Sequence, residues 1–114
     1  MHQYTPVKKR REALMPYFAK QQFVDYFKEH KQEFSDSYGV IRIGIFGSAA
    51  RDELQETSDV DIAIEMIPEK KNLRNFLGFK RLLEQQFGRT VDLGIESALK
   101  PVVRASIQKE IVYV

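Results

Sequence analysis

Three aspartates carry the chemistry open to this sequence. Asp59 and Asp61 stand two residues apart in Ser58-Asp59-Val60-Asp61-Ile62-Ala63-Ile64, and Asp92 stands in Thr90-Val91-Asp92-Leu93-Gly94-Ile95. Both segments alternate apolar with polar or small residues, the period of a strand buried on one face. Val60, Ile62 and Ile64 then point into a core, and Asp59 and Asp61 share the opposite face. Side chains two apart on a strand face have Cβ atoms about 6–7 Å apart. Carboxylates so close on a half-buried surface repel one another and resist ionising. A hard divalent cation removes that penalty. Mg²⁺ takes one or two carboxylates and keeps its other positions for water and substrate phosphates. Asp92 presents a third carboxylate on its own strand, and Gly94 two residues on leaves space beside it.

A phosphate site is predicted a few residues upstream. Val40, Ile41, Ile43, Ile45 and Phe46 form an apolar run, rich in β-branched residues, that stops at Gly47. Ser48 is a suitable N-cap for a short helix starting at Ala49. Free N–H groups and the helix dipole at such a tip attract phosphate. Arg51, one turn in, is placed either to offset charge on a triphosphate or to make a surface ion pair. Taken singly, Ser48 reads as an ordinary cap and the two aspartates as a polar strand end. Three aspartates on one face beside a phosphate-shaped turn outweigh those readings. A metal site next to a phosphate site is what nucleotidyl transfer requires.

Gly47-Ser48, ten intervening residues, then Asp59-Val60-Asp61 resembles the signature of the DNA polymerase β-like nucleotidyltransferase superfamily. The small size and the tail from Ala98-Leu-Lys-Pro101 to Tyr113-Val114 resemble the minimal nucleotidyltransferases that serve as antitoxins to HEPN-domain toxins. The resemblance spans about Tyr38 to Val114. It implies an α/β (α+β) fold, with a small mixed sheet and helices mainly on one side. It also implies transfer of AMP from ATP, with two Mg²⁺ ions held by Asp59, Asp61 and Asp92, to a tyrosine hydroxyl of a HEPN-family ribonuclease. Gly47, Ser48 and Arg51 would then bind the nucleotide, and Asp92 would complete the second metal site and accept the acceptor's proton. Relatives commonly have glycine where this chain has Asp52. That acid would either repel the nucleotide by pointing inward or complement the dipole at the exposed first turn of the helix.

The remaining elements must position this set. A helical stripe, Phe23, Tyr26, Phe27, His30 and Phe34, marks a helix from about Arg11 to Phe34 that Pro16 divides, followed by a turn over Ser35–Gly39. His30 reads as a core-edge residue rather than a ligand. A second helix follows Pro68, buries Phe76, Phe79, Leu83 and Phe87, joined by Leu73 and Leu82, and ends at Gly88; Gly78 inside it suggests a close approach. A last helix spans Ser97 to about Glu110, and Ile111–Val114 suits a short edge strand. The link over residues 47–59 is near the minimum of about 10–12 residues for a parallel crossover, so a mixed sheet is expected.

With 114 residues, one domain is expected, with a flexible basic arm at 1–12 and a helical extension at 13–37. Deleting residues 1–11 is expected to leave catalysis intact. The formal charge of +2 does not mark a nucleic-acid binder, and direct binding of nucleic acid is not expected. The absence of cysteine excludes disulfides and thiolate metal sites and suits a cytoplasmic protein. No apolar run approaches the roughly 18 residues of a membrane span. Neither Walker nor dinucleotide glycine spacing occurs, and no serine–base or cysteine–histidine arrangement supports covalent catalysis. An acceptor surface is expected from a partner, because the core leaves little chain to build one. The alternatives are an antitoxin that neutralises by binding alone and a small-molecule nucleotidyltransferase subunit.

Overall fold

The computed structural model describes residues 15–114; the basic arm and any helical piece before Met15 lie outside the described residues. The elements are α1 (Lys20–Tyr38), β1 (Val40–Phe46), α2 (Gly47–Ala50), β2 (Val60–Met66), α3 (Leu73–Phe87), β3 (Val91–Ile95), α4 (Pro101–Gln108) and β4 (Val112–Tyr113). Turns of 3-10 helix lie at Pro68–Lys70 and Glu96–Ala98. The sheet runs β3-β2-β1-β4. β1 is antiparallel to both β2 and β4, and β2 is parallel to β3. The mixed sheet is as expected. The segment between β1 and β2 carries only the short α2 and simply reverses the chain, whereas α3 supplies the crossover that parallel strands need.

One face of the sheet holds the core. Phe23, Phe27 and Phe34 of α1 and Phe79, Leu83 and Phe87 of α3 pack with Ile43, Ile45, Ile62, Ile64 and Val91. Their rings meet edge to face: Phe23 and Phe87 at 4.8 Å, Phe34 and Phe79 at 5.0 Å between centroids. Full burial of each such side chain contributes roughly 1.5–3 kcal/mol. His30 sits at the rim of this cluster as expected, 4.5 Å from the Tyr26 ring, with Nδ1 3.0 Å from Glu33 Oε1.

Helix bounds differ from the expectation for identifiable reasons. α1 starts at Lys20 because the chain after Pro16 is extended and the Gln22 side chain accepts the N–H groups of Phe18 and Ala19. It runs through the expected turn to Tyr38, which continues the buried stripe and packs 5.3 Å from Phe79. Gly39, at φ 72°, then supplies the left-handed cap. A Cβ on Gly78 would come to 3.4 Å of Tyr38, the close approach its position suggested. Asn72 starts α3 by accepting the Asn75 N–H at 2.8 Å, and Leu73, in that first turn, is 70 % exposed and does not join the buried face as expected. The last helix is split, since Pro101 has no N–H to donate and disfavours helix just before it.

On the other sheet face Gly44, Ala63 and Gly94 stand in register across three strands. A Cβ on Gly44 would overlap Ile111, and one on Gly94 would touch Leu99 at 3.6 Å. The C-terminal segment therefore seats itself on this row, and the space expected beside Asp92 is partly filled by Leu99. Glu96, only 2 % exposed, anchors the same segment. It accepts from the Tyr113 hydroxyl at 2.7 Å and from Arg42 Nη2 at 2.9 Å, joining the turn after β3 to β4 and β1. Among the described residues no helix is long and apolar enough to cross a membrane.

Candidate active site

Strand register brings the aspartates together. Asp61 and Asp92 are direct partners on the parallel strands β2 and β3, so their side chains project side by side from the face opposite the core. Asp59 precedes β2 by one residue, where the Val60 N–H extends the ladder to Thr90 O at 3.0 Å. Asp61 is half-buried; Asp59 and Asp92 are exposed. Burial pushes the Asp61 carboxyl up to about 6, helped by the negative charges of Asp92, Asp59 and Glu110 and opposed by Arg51. A cation is the natural relief for such a cluster. Among the described residues no three acidic or imidazole side chains are already closed into a metal cage. An open set that leaves positions to water and phosphate oxygens still fits Mg²⁺ better than a dedicated cage does.

The turn after β1 touches this cluster. Phe46, the last residue of β1, pairs with Asp61. Gly47 follows at φ 68°, and a Cβ there would overlap the Asp61 carboxylate. Glycine is required on both counts: for its left-handed backbone and for the close approach. The helix starts at Gly47 and not at Ala49, so Ser48 is not its cap; Phe46 holds that position and its own side chain makes no capping bond. Ser48 is half-buried in the first turn, with its carbonyl accepting the Glu53 N–H at 2.8 Å.

The tip already holds an anion. Gly47 N–H donates to Glu110 Oε2 at 3.0 Å, and Arg51 Nη1 donates to Glu110 Oε1 at 2.7 Å. Arg51 Nε also donates to Glu53 Oε1 at 3.0 Å. Arg51 thus makes the surface ion pair while lying at the tip. Glu110 stands 63 residues from Gly47, and no local pattern in the sequence marks it. Asp52 takes neither expected course. It lies past the end of α2 at φ 58°, a left-handed backbone that favours glycine. Its carboxylate turns away from the aspartates and accepts the Lys20 N–H at 2.8 Å, at the start of α1.

This fold and site define a nucleotidyltransferase. The family model described as "Nucleotidyltransferase domain" matches residues 27–114, and the chain belongs to that family. The chain is 40 % identical over 85 residues to the protein adenylyltransferase MntA of Thermococcus cleftensis, covering 75 % of this chain and 85 % of that one. It is 37 % identical over 91 residues to a Methanocaldococcus jannaschii protein whose name gives protein adenylyltransferase as a provisional activity, covering 79 % and 92 %. A solved structure described as a provisional minimal nucleotidyltransferase superposes with TM-score 0.72 at 25 % identity, over 84 % of this chain and 96 % of that one. A toxin–antitoxin structure with AMP-PNP shares the fold, with TM-score 0.62 at 17 % identity, over 75 % and 69 %.

Proposed function

We propose that this protein is an antitoxin that transfers AMP from ATP to a tyrosine hydroxyl of a HEPN-family ribonuclease, in a Mg²⁺-dependent reaction in the cytoplasm. The observation that carries the reading is the contact of Gly47 with Asp61, itself paired with Asp92. A triphosphate on the turn would have its reacting phosphorus beside the carboxylates. The relatives named protein adenylyltransferases support AMP as the group transferred and a protein as the acceptor.

Asp59 and Asp61 would hold the cation that grips the triphosphate, and Asp92, beside Asp61, would complete a second cation position. Bound there, the metal supplies charge neutralisation on the phosphates. Gly47 and Ser48 hold the β- and γ-phosphates through N–H groups and the Ser48 hydroxyl, and Arg51 offsets their charge. The acceptor oxygen attacks the α-phosphorus, the bond from that phosphorus to the bridging oxygen breaks, and pyrophosphate leaves. Asp92, exposed at the sheet edge, takes the hydroxyl proton. Most of the rate comes from positioning and electrostatics. Glu110 must leave the tip when phosphate arrives, which its partial exposure permits.

The test incubates the protein with Mg²⁺, ATP and the product of the neighbouring gene, with label on either the α- or the γ-phosphate. Label from the α-position alone on a partner tyrosine, lost in the Asp59→Ala, Asp61→Ala double variant, is the expected result. Inhibition of the partner by that double variant without any label transfer would assign neutralisation to binding alone.

A further inference from the structure

The residues just before the family match reach the candidate active site. Asp59 ends a coil, Arg51–Asp59, that belongs to no helix or strand. Its geometry depends on what holds that coil. Arg89, only 8 % exposed, does so from beneath. Its Nη1 donates to Gln55 O at 2.8 Å, to Ser58 O at 3.0 Å and to Glu56 O at 3.3 Å. Its Nε donates to Tyr17 O at 2.7 Å, and its guanidinium lies 4.4 Å from the centre of the Phe18 ring. Tyr17 is itself fixed, with its N–H on Phe87 O at 2.9 Å and its hydroxyl accepting from Gln86 at 2.8 Å. At the other end of the coil Asp52 accepts the Lys20 N–H.

We infer that Tyr17–Lys20 is a clasp that sets the catalytic coil, with Arg89 and Asp52 as positioning residues that hold Asp59 in place for a divalent cation. Both ends of the coil, Asp52 and Gln55–Ser58, are tied to the same short stretch. That stretch lies outside residues 27–114, the part of the chain that the family model matches. The physical gain is entropic. A coil already ordered costs nothing further to order when the cation binds, whereas a loose one must be ordered at that moment. The inference rests on the reading of Asp59 as a metal ligand.

The test compares wild type with Arg89→Lys, which keeps the charge but loses the fork, and with Asp52→Gly, which suits φ 58° and removes the acceptor. Two quantities are read below the melting temperature of each protein: Mn²⁺ affinity, from the free-ion electron paramagnetic resonance signal, and amide hydrogen exchange over residues 51–59. Both variants should bind Mn²⁺ roughly fivefold or more weakly and exchange faster in that coil, with the β1–β3 amides unchanged. Asp52→Asn, which tolerates the left-handed backbone and can still accept from Lys20, should recover most of the affinity. Exchange and affinity within about twofold of wild type, or losses spread evenly over the fold, would overturn the clasp. Asp59→Ala separates the two ideas. If it leaves Mn²⁺ binding intact, the metal reading fails, while coil exchange in Arg89→Lys still decides whether the clasp exists.

Discussion

The carboxylate of Asp61 occupies the space that a Cβ on Gly47 would need. That contact joins the end of β1 to β2 at the point where the chain turns, so the turn and the aspartate cannot move independently. Gly47→Ala must therefore change both. A left-handed alanine costs about 1–2 kcal/mol, and the carboxylate has to shift by enough to lower the transfer rate by about 100-fold. Thermal unfolding and single-turnover transfer rates measure the two effects separately.

The raised Asp61 carboxyl predicts an unusual pH response. Below about pH 4 the group is protonated in both folded and unfolded chains. Between there and about 6 the folded protein binds the extra proton, so stability without metal falls as pH rises through that window. Asp61→Asn should flatten this part of the stability curve and abolish transfer. A divalent cation needs the ionised form, so its affinity should weaken as pH drops below about 6, with proton uptake when metal is removed with EDTA. Denaturant melts across pH and calorimetry in two buffers of different ionisation enthalpy check these signs.

Glu110 competes with phosphate for the Gly47 N–H and for Arg51. Glu110→Gln removes the charge and should tighten ATP binding several-fold. Titration with a non-hydrolysable ATP analogue gives the answer; weaker binding would make Glu110 a support for Arg51.

Glu96 is expected to matter for stability and not for chemistry. Burial pushes its carboxyl up, but the bond from Tyr113 and the charge and bond of Arg42 outweigh burial and hold it below the ordinary range. Its contribution is present above that range and is lost as pH falls through its folded value. Glu96→Ala should destabilise the protein by about 3 kcal/mol, and Tyr113→Phe by about 1 kcal/mol, in denaturant melts at neutral pH.

Strand alternation made the aspartates and the core face legible in the sequence, because both depend on a period of two within a single segment. The partnership of Asp61 with Asp92 needed the pairing of two strands, which alternation alone does not specify. Gly47 is legible as the residue that ends a strand, but its contact with Asp61 is a tertiary fact. Serine before a short helix is usually its cap; here the sharp left-handed turn at Gly47 starts the helix two residues earlier, which leaves Ser48 inside it. Nothing local announces the partner of Asp52, the first N–H of α1, which lies 32 residues away. Glu110, Glu96 and Arg89 act through bonds spanning 31 to 72 residues, apart from the links of Glu96 to the nearby C-terminal residues. Nothing in their neighbourhoods announces such bonds.

The most direct measurement is the anomalous scattering of Mn²⁺ in crystals grown with a non-hydrolysable ATP analogue. A peak within coordinating distance of Asp61 and of Asp59 or Asp92, with the triphosphate on Gly47 and Ser48 in place of Glu110, is the predicted result. A well-ordered nucleotide elsewhere on the protein, with no manganese at these aspartates, would contradict the account.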